Sequence, residues 1–291
     1  MSETQARLAE RLMAGVGGDV SRVLEAALEG RELSRDDAAI LLRTKGRDLQ
    51  LLCLVADAAR EEDVGEEISY VVNRNINFTN ICYVGCSFCG FARHKDDADA
   101  YDRGLDDVVQ RAREAWNLGA SEVCIQGGIH PQKDGFWYRE ILRAIKAELP
   151  DLHIHAFSPE EIHFGVKKAG GMDLRDYLTM LKEEGLGTIP GTAAEILDDE
   201  VRKILSPRKL MTDRWVEIVT TAHEVGLRSS STLMYGHIEK DHHIAIHLEI
   251  LRDLQKRTGG FTEFVPLGFI HHQTQLYNEQ GSRPGPSAPE D

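Results

Sequence analysis

The chain has 291 residues, 42% of them hydrophobic, with a formal net charge of -14 and a sequence pI near 5.3. An acidic balance of that size offers no surplus of cations to neutralise phosphates, which argues against a nucleic-acid or anionic-membrane partner and favours small molecules. No run of about 18 apolar residues marks a membrane span, and the first residues, MSETQARLAERLMAG, lack the basic start and apolar stretch of a secretory signal, so a cytoplasmic protein is expected.

Residues 1–65 read as a helical extension: Ser34 with Asp37 three residues on resembles a helix start, and Leu41, Leu42, Leu49, Leu52 and Val55 keep roughly helical spacing. From Tyr70 onward six short apolar or β-branched runs follow: YVVNRNINF, VCIQGG, HIHAF, LGTIPG, RSSSTLMYG and FTEFVPLGF. Between them lie helix-like segments near 105–118, 137–148, 173–184, 196–205, 212–225 and 241–257. Strict alternation predicts an α/β fold with a parallel sheet or (β/α) barrel over residues 66–278, its site at the carboxyl ends of the strands. Six strands do not fill an eight-stranded barrel, so the barrel is partial, or two last units come from another segment. The Pro, Gly and Ser-rich end, 279–291, is expected to be disordered.

Five cysteines are too few for a disulfide scaffold, and three of them crowd into eight residues, Cys82-Tyr-Val-Gly-Cys86-Ser-Phe-Cys89, directly after the first strand. Three thiolates from one loop leave one iron of a 4Fe-4S cubane open to an external chelator. The amine and carboxylate of S-adenosylmethionine suit that position. Structural zinc, with His94 as a fourth ligand, is the competing assignment. Cys53 and Cys124, in apolar surroundings, are expected to be core thiols.

Other strand ends carry further candidates. Gly127 and Gly128 allow a ligand close to the backbone, or simply make a tight turn. Ser158 and Glu161 offer a hydroxyl and a carboxylate, although helix capping explains Ser158 equally well. Glu195 and Arg202 sit two helical turns apart, and Arg202 could clamp a carboxylate. Asp198 and Asp199 read as helix-start residues. The fifth strand is unusually polar for a buried parallel strand, which points to a ligand or water there and to Tyr235 and His237 as substrate contacts. The pairs His242-His243 and His271-His272 look like surface residues.

With these motifs in hand, the chain from about Ile68 to Tyr277 resembles the radical S-adenosylmethionine family of deazaflavin and futalosine biosynthesis. The likeness runs through NRNINFTNICYVGCSFCGFAR, HAFSPEEI, TIPGTAAEILDDEVR, VGLRSSSTLMYGH and GGFTEFVPL, wording nearest to the 4-hydroxyphenyl transferase branch. The resemblance implies a radical SAM barrel with a 4Fe-4S cluster on Cys82, Cys86 and Cys89. It implies S-adenosylmethionine beside Phe88, Gly127 and Gly128, with Ser158, Glu161, Glu195 and Arg202 as polar contacts. It further implies L-tyrosine cleaved at Cα–Cβ and a 4-hydroxybenzyl fragment joined to 5-amino-6-(D-ribitylamino)uracil, on the way to the deazaflavin chromophore of coenzyme F-420. An electron donor, and a sister radical SAM enzyme lying elsewhere, complete that expectation. After FVPL the family continues differently from Gly268-Phe-Ile-His-His-Gln-Thr-Gln275 here. The rival assignments are an aminodeoxyfutalosine or dehypoxanthine futalosine synthase and a non-catalytic iron-sulfur or zinc scaffold.

Overall fold

The computed structural model describes residues 16–280, so the helical expectation for 1–15 and the disorder expected for 281–291 lie outside the described residues. Two compact units emerge: one takes the described chain up to Tyr70 with Lys240–Glu249, the other Val71–Glu239 with the chain from Ile250. The first division falls at Tyr70/Val71, five residues after the expected boundary at 65/66, and Lys240–Glu249 of the expected barrel segment goes with the first unit.

In the first unit, α1 (Gly18–Leu28), α2 (Arg35–Leu41) and α3 (Gly46–Val64) form the expected helical extension. Ser34 and Asp37 cap α2 reciprocally, which satisfies two of the amide donors a helix start leaves orphaned. Val20, Leu24, Leu51 and Val55 pack into a small core. Cys53 is exposed, which corrects its assignment to the core: it lies two residues from Leu51 and from Val55, on the opposite side of α3.

In the second unit, β1 (Asn73–Asn77), β2 (Glu122–Gln126), β3 (His153–Ala156), β4 (Thr188–Ile189), β5 (Arg228–Tyr235) and β6 (Phe261–Gly268) form one all-parallel sheet in sequence order. This is the half-barrel expected from six strands. The helices α4 (Leu105–Asn117), α5 (Trp137–Glu148), α6 (Pro159–Lys168), α7 (Leu174–Glu183), α8 (Asp199–Leu205), α9 (Thr212–Glu224) and α10 (Asp241–Thr258) connect the strands. Ile76, Val123, Ile125, Ile154 and Ile189 face Val108, Ile141, Leu178 and Ile218 in the main core. Period-two alternation in the strands and a helical stripe in the connectors follow from packing one face of each.

Several expectations need correction. The first strand starts at Asn73 rather than Tyr70, and Tyr70, Val71 and Val72 are exposed. Helix α6 and the short α11 (Gln275–Gln280) escaped the periodicity reading. The polar fifth strand needs neither ligand nor water, since neighbours within the protein satisfy its hydroxyls. Ser230 Oγ accepts from Gly191 N at 2.8 Å, Thr232 Oγ1 donates to Gly191 O at 2.7 Å, and Ser231 Oγ donates to Glu263 O at 2.9 Å. His243 and His271 are buried rather than on the surface, His243 accepting from Lys240 N at 3.0 Å. Among the described residues, no helix is long and apolar enough to cross a membrane.

Burial pulls His163 and His223 down to about 4, and Lys167 and Arg214 press His163 further in the same direction. Both rings serve hydrogen bonds as neutral imidazoles, His163 Nδ1 accepting from Arg214 Nε at 3.1 Å. Between about pH 6.5, where an unfolded histidine titrates, and pH 4, the unfolded chain therefore binds protons that the native state refuses. Stability is expected to be full above that window and to fall as the pH drops through it. Urea midpoints taken from pH 7 to 4 check this, and His223→Gln should flatten the acid limb.

Candidate active site

A cavity of about 220 Å³ opens at the carboxyl ends of β1 to β4 and is lined by Cys82, Cys86 and Cys89 together with Phe88, Gly127 and Gly128. The cysteine loop is pinned at three places. Tyr83 N donates to Ile129 O at 3.2 Å, Arg208 Nε donates to Val84 O at 2.9 Å, and Ser87 donates both its amide and its hydroxyl to Leu205 O. Gly85 takes a left-handed φ of 67°, which glycine adopts without strain, and a Cβ there would also displace the Arg208 guanidinium. Burial pushes the Cys86 thiol up to about 12, eased by the ammonium of Lys209, so a thiolate here needs a cationic partner such as a metal.

The two glycines after β2 are required by packing. A Cβ on Gly127 would lie 2.5 Å from the Phe78 ring, and one on Gly128 would overlap the carbonyl oxygen of Ile81, one residue before the first cysteine. Gly128→Ala is therefore expected to displace the cysteine loop and cost on the order of 1 to 3 kcal/mol, as overpacking does. Urea denaturation beside iron content after reconstitution checks it. Ser158 and Glu161 form a capping box on α6, and Glu161 also reaches Gly127: Oε2 accepts from Ser158 N and Oγ at 2.7 Å each, and Oε1 accepts from Gly127 N at 3.0 Å. Glu161 thus braces the glycine turn while lining the cavity. Burial lifts its carboxyl to about 7 against the pull of those donors.

The turn after β4 holds two non-glycine residues in left-handed conformations, Ala193 at φ 65° and Glu195 at φ 43°. Such strain persists only where the surroundings over-determine it. Arg202 does so: its guanidinium donates to the carbonyls of Ala193 (3.0 Å), Ala194, Ile196 (3.2 Å) and Leu210 (2.6 Å). Arg202 is buried and does not line the cavity, so its expected role as a carboxylate clamp gives way to that of a brace. What it holds is Glu195, whose Oε1 accepts from Lys209 Nζ at 2.7 Å. Lys209, missed from the sequence, lines the cavity with Nζ 5.5 Å from the Phe88 ring centroid, and its neighbouring carboxylates hold its pKa above the ordinary range despite burial. Glu160, also buried at the cavity wall, accepts from Leu210 N at 2.9 Å.

The sequence pattern of the Radical SAM superfamily matches residues 76–251, a span that holds the cysteine loop and the strand ends just described. The chain belongs to the radical SAM superfamily. It is 53% identical over 281 residues to the FO synthase of Mycobacterium tuberculosis (strain CDC 1551 / Oshkosh), covering 96% of this chain and 33% of that protein. It is 45% identical over 270 residues to the 5-amino-6-(D-ribitylamino)uracil--L-tyrosine 4-hydroxyphenyl transferase of Methanothermobacter thermautotrophicus, covering 93% of this chain and 73% of that one. The chain thus spans about a third of the length of the FO synthases it matches. In fold it is similar to the FeFe-hydrogenase maturase HydG from Carboxydothermus hydrogenoformans, at a TM-score of 0.71 and 19% identity over 95% of this chain and 62% of that one. Methylornithine synthase (PylB) is similar at a TM-score of 0.67 and 18% identity, over 88% and 70%.

The radical SAM family implies a 4Fe-4S cluster and S-adenosylmethionine, and the residues present fit both. His94, the fourth ligand that zinc would need, is exposed and absent from the cavity wall. Among the described residues Thr192 Oγ1, buried beside the cavity, has no hydrogen-bond partner, the condition of a group that awaits a polar ligand, and Glu195 Oε2 has only the Arg202 guanidinium, 3.6 Å away. Tyr235 and His237 fall outside this radical SAM cavity. His237 is buried in the turn after β5, its Nε2 on Met234 O at 2.9 Å and its Nδ1 3.2 Å from Glu239.

Proposed function

We propose that this chain is the 5-amino-6-(D-ribitylamino)uracil--L-tyrosine 4-hydroxyphenyl transferase of deazaflavin synthesis. It cleaves L-tyrosine at Cα–Cβ and transfers the 4-hydroxybenzyl fragment to C5 of the ribitylaminouracil. The observation that carries the reading is the pairing of a three-cysteine cavity with 45% identity, across 73% of its length, to a transferase of that name. Cys82, Cys86 and Cys89 hold the cluster, and Phe88, Gly127, Gly128, Ser158, Glu161 and Glu195 border S-adenosylmethionine. When bound, the two supply a one-electron cleavage that yields the hydrogen-abstracting 5'-deoxyadenosyl radical. The protein's own contribution is positional. Phe88, Phe91 and Ile129 give the cavity an apolar wall, Glu161 fixes the glycine turn, and the Glu195–Lys209 pair would offer one acceptor and one cation to a polar end of the cofactor. Ring closure to the finished chromophore falls to a sister radical SAM enzyme, and an external donor reduces the cluster.

The test is anaerobic. The reconstituted protein is given reductant, S-adenosylmethionine, L-tyrosine and 5-amino-6-(D-ribitylamino)uracil, and 5'-deoxyadenosine and adduct are followed by mass spectrometry. Tyrosine-dependent deoxyadenosine with the hydroxybenzyl adduct supports the transferase. Deoxyadenosine formed only with futalosine-type substrates replaces it with the menaquinone branch, and no deoxyadenosine at all leaves a scaffold.

A further inference from the structure

A parallel sheet covered on both faces reads as near-continuous apolar runs. Strands β1 to β4 do not. Their outward positions, Arg74 excepted, are apolar and buried, while the alternate ones are Asn73, Asn75 and Asn77, then Glu122, Cys124 and Gln126, then His153 and His155, then Thr188, all at least partly exposed. The register sets Asn75, Cys124, His155 and Thr188 side by side across four strands. The inner face of the sheet is thus a polar floor, and Gln126 at its upper end also lines the cysteine cavity. From Glu122 to Gln126 the floor extends four residues, roughly 13 Å at the rise of a strand.

The floor's chemistry is two-handed, built of amides, a thiol, a hydroxyl and imidazoles, with one carboxylate, Glu122, at its lower end 3.7 Å from His153 Nε2. Thr188 Oγ1 lies 2.7 Å from His155 Nδ1 and 2.9 Å from His153 Nε2. A hydroxyl has one proton, so it donates to one ring and accepts from the other, and the outer nitrogens of the two rings then present opposite polarity. Burial holds His155 below the ordinary histidine range, which keeps it neutral at physiological pH. Burial likewise pushes Cys124 up to about 11, so it stays a thiol. Gln126 Nε2 finds only Cys124 Sγ, at 3.9 Å, and the Asn75 side chain makes no hydrogen bond to the described residues.

We propose that this inner row, from Gln126 at the cavity to Asn75 and His155 deeper on the sheet, seats the second substrate, an uncharged pyrimidinedione with a polyhydroxylated side chain. Carboxamides match the alternating carbonyl and N–H edge of such a ring, and hydroxyl, imidazole and amide groups match a polyol that donates and accepts along its length. The ring lies at Gln126, where its carbon faces the radical site, and the five-carbon chain runs down toward His155 and Asn75. The assignment rests on the transferase reading above.

Calorimetry of 5-amino-6-(D-ribitylamino)uracil on the anaerobic, cluster-loaded protein tests it. Asn75→Ala, at an exposed position that folding tolerates, and Thr188→Val should each raise Kd tenfold or more. Both should raise the KM for the pyrimidine while that for tyrosine stays within twofold. Arg74→Ala, on the opposite face of β1 where its side chain meets Glu114, should leave Kd within twofold. Wild-type affinity in both floor variants, at wild-type iron content, overturns the assignment alone. A wild-type protein that binds no pyrimidine overturns the transferase reading and the assignment with it.

Discussion

Cys86→Ala is expected to abolish cluster assembly: iron and sulfide fall to background, the charge-transfer absorbance of the cluster disappears, and no 5'-deoxyadenosine forms. In the proposed assignment each cysteine of the loop supplies one of three protein ligands, and Cys86 lies at the wall shared with Lys209 and Glu195. Removing it leaves two thiolates for a group that needs four ligands, and no other cysteine lines the cavity to replace it. Cys53 lies in the other unit and Cys124 lies on β2. Cys124→Ala is the matched control and should retain full iron content. A Cys86→Ala protein with wild-type iron and cofactor cleavage would end the cluster assignment.

Arg202→Ala is expected to be the most destabilising single change at the site, on the order of 3 to 5 kcal/mol, the usual cost of removing one partner from a buried ionic contact. Its guanidinium satisfies carbonyls from two separate turns, at Ala193, Ala194 and Ile196 and at Leu210, and lies 3.6 Å from Glu195. Truncation orphans those buried oxygens and removes the cation facing the carboxylate, while the left-handed turn at Ala193 and Glu195 loses what holds it. Arg202→Lys should recover only part of the loss, since an ammonium cannot serve two turns with a planar fork. Urea denaturation beside cofactor titration separates this from a ligand role. A loss under about 1 kcal/mol with a tenfold weaker cofactor would restore the carboxylate clamp.

Much of this site is local in sequence and was therefore legible. The cysteine loop, the glycine pair after β2 and the Ser158–Glu161 cap each lie within a few residues, and turn and cap chemistry is written at that range. Lys209 was not legible. It follows a helix by four residues in a turn without periodicity, and only the fold brings it to Glu195 and Phe88. Arg202 misled for the opposite reason, because a buried arginine that bonds carbonyls and one that clamps a ligand have the same spacing. The fifth-strand hydroxyls misled likewise, since their partners at Gly191 and Glu263 are supplied by neighbouring strands.

By itself the sequence determined the alternation of strand and helix, the number and order of the strands, and the place of the cysteine loop after the first strand. Those properties follow from backbone periodicity and from ligand spacing along a single loop, both of which act over short stretches of chain. The tertiary structure alone decided which polar side chains face the cavity and which are consumed in holding it. That choice turns on partners far away in sequence, and a buried donor or acceptor takes whichever partner packing delivers.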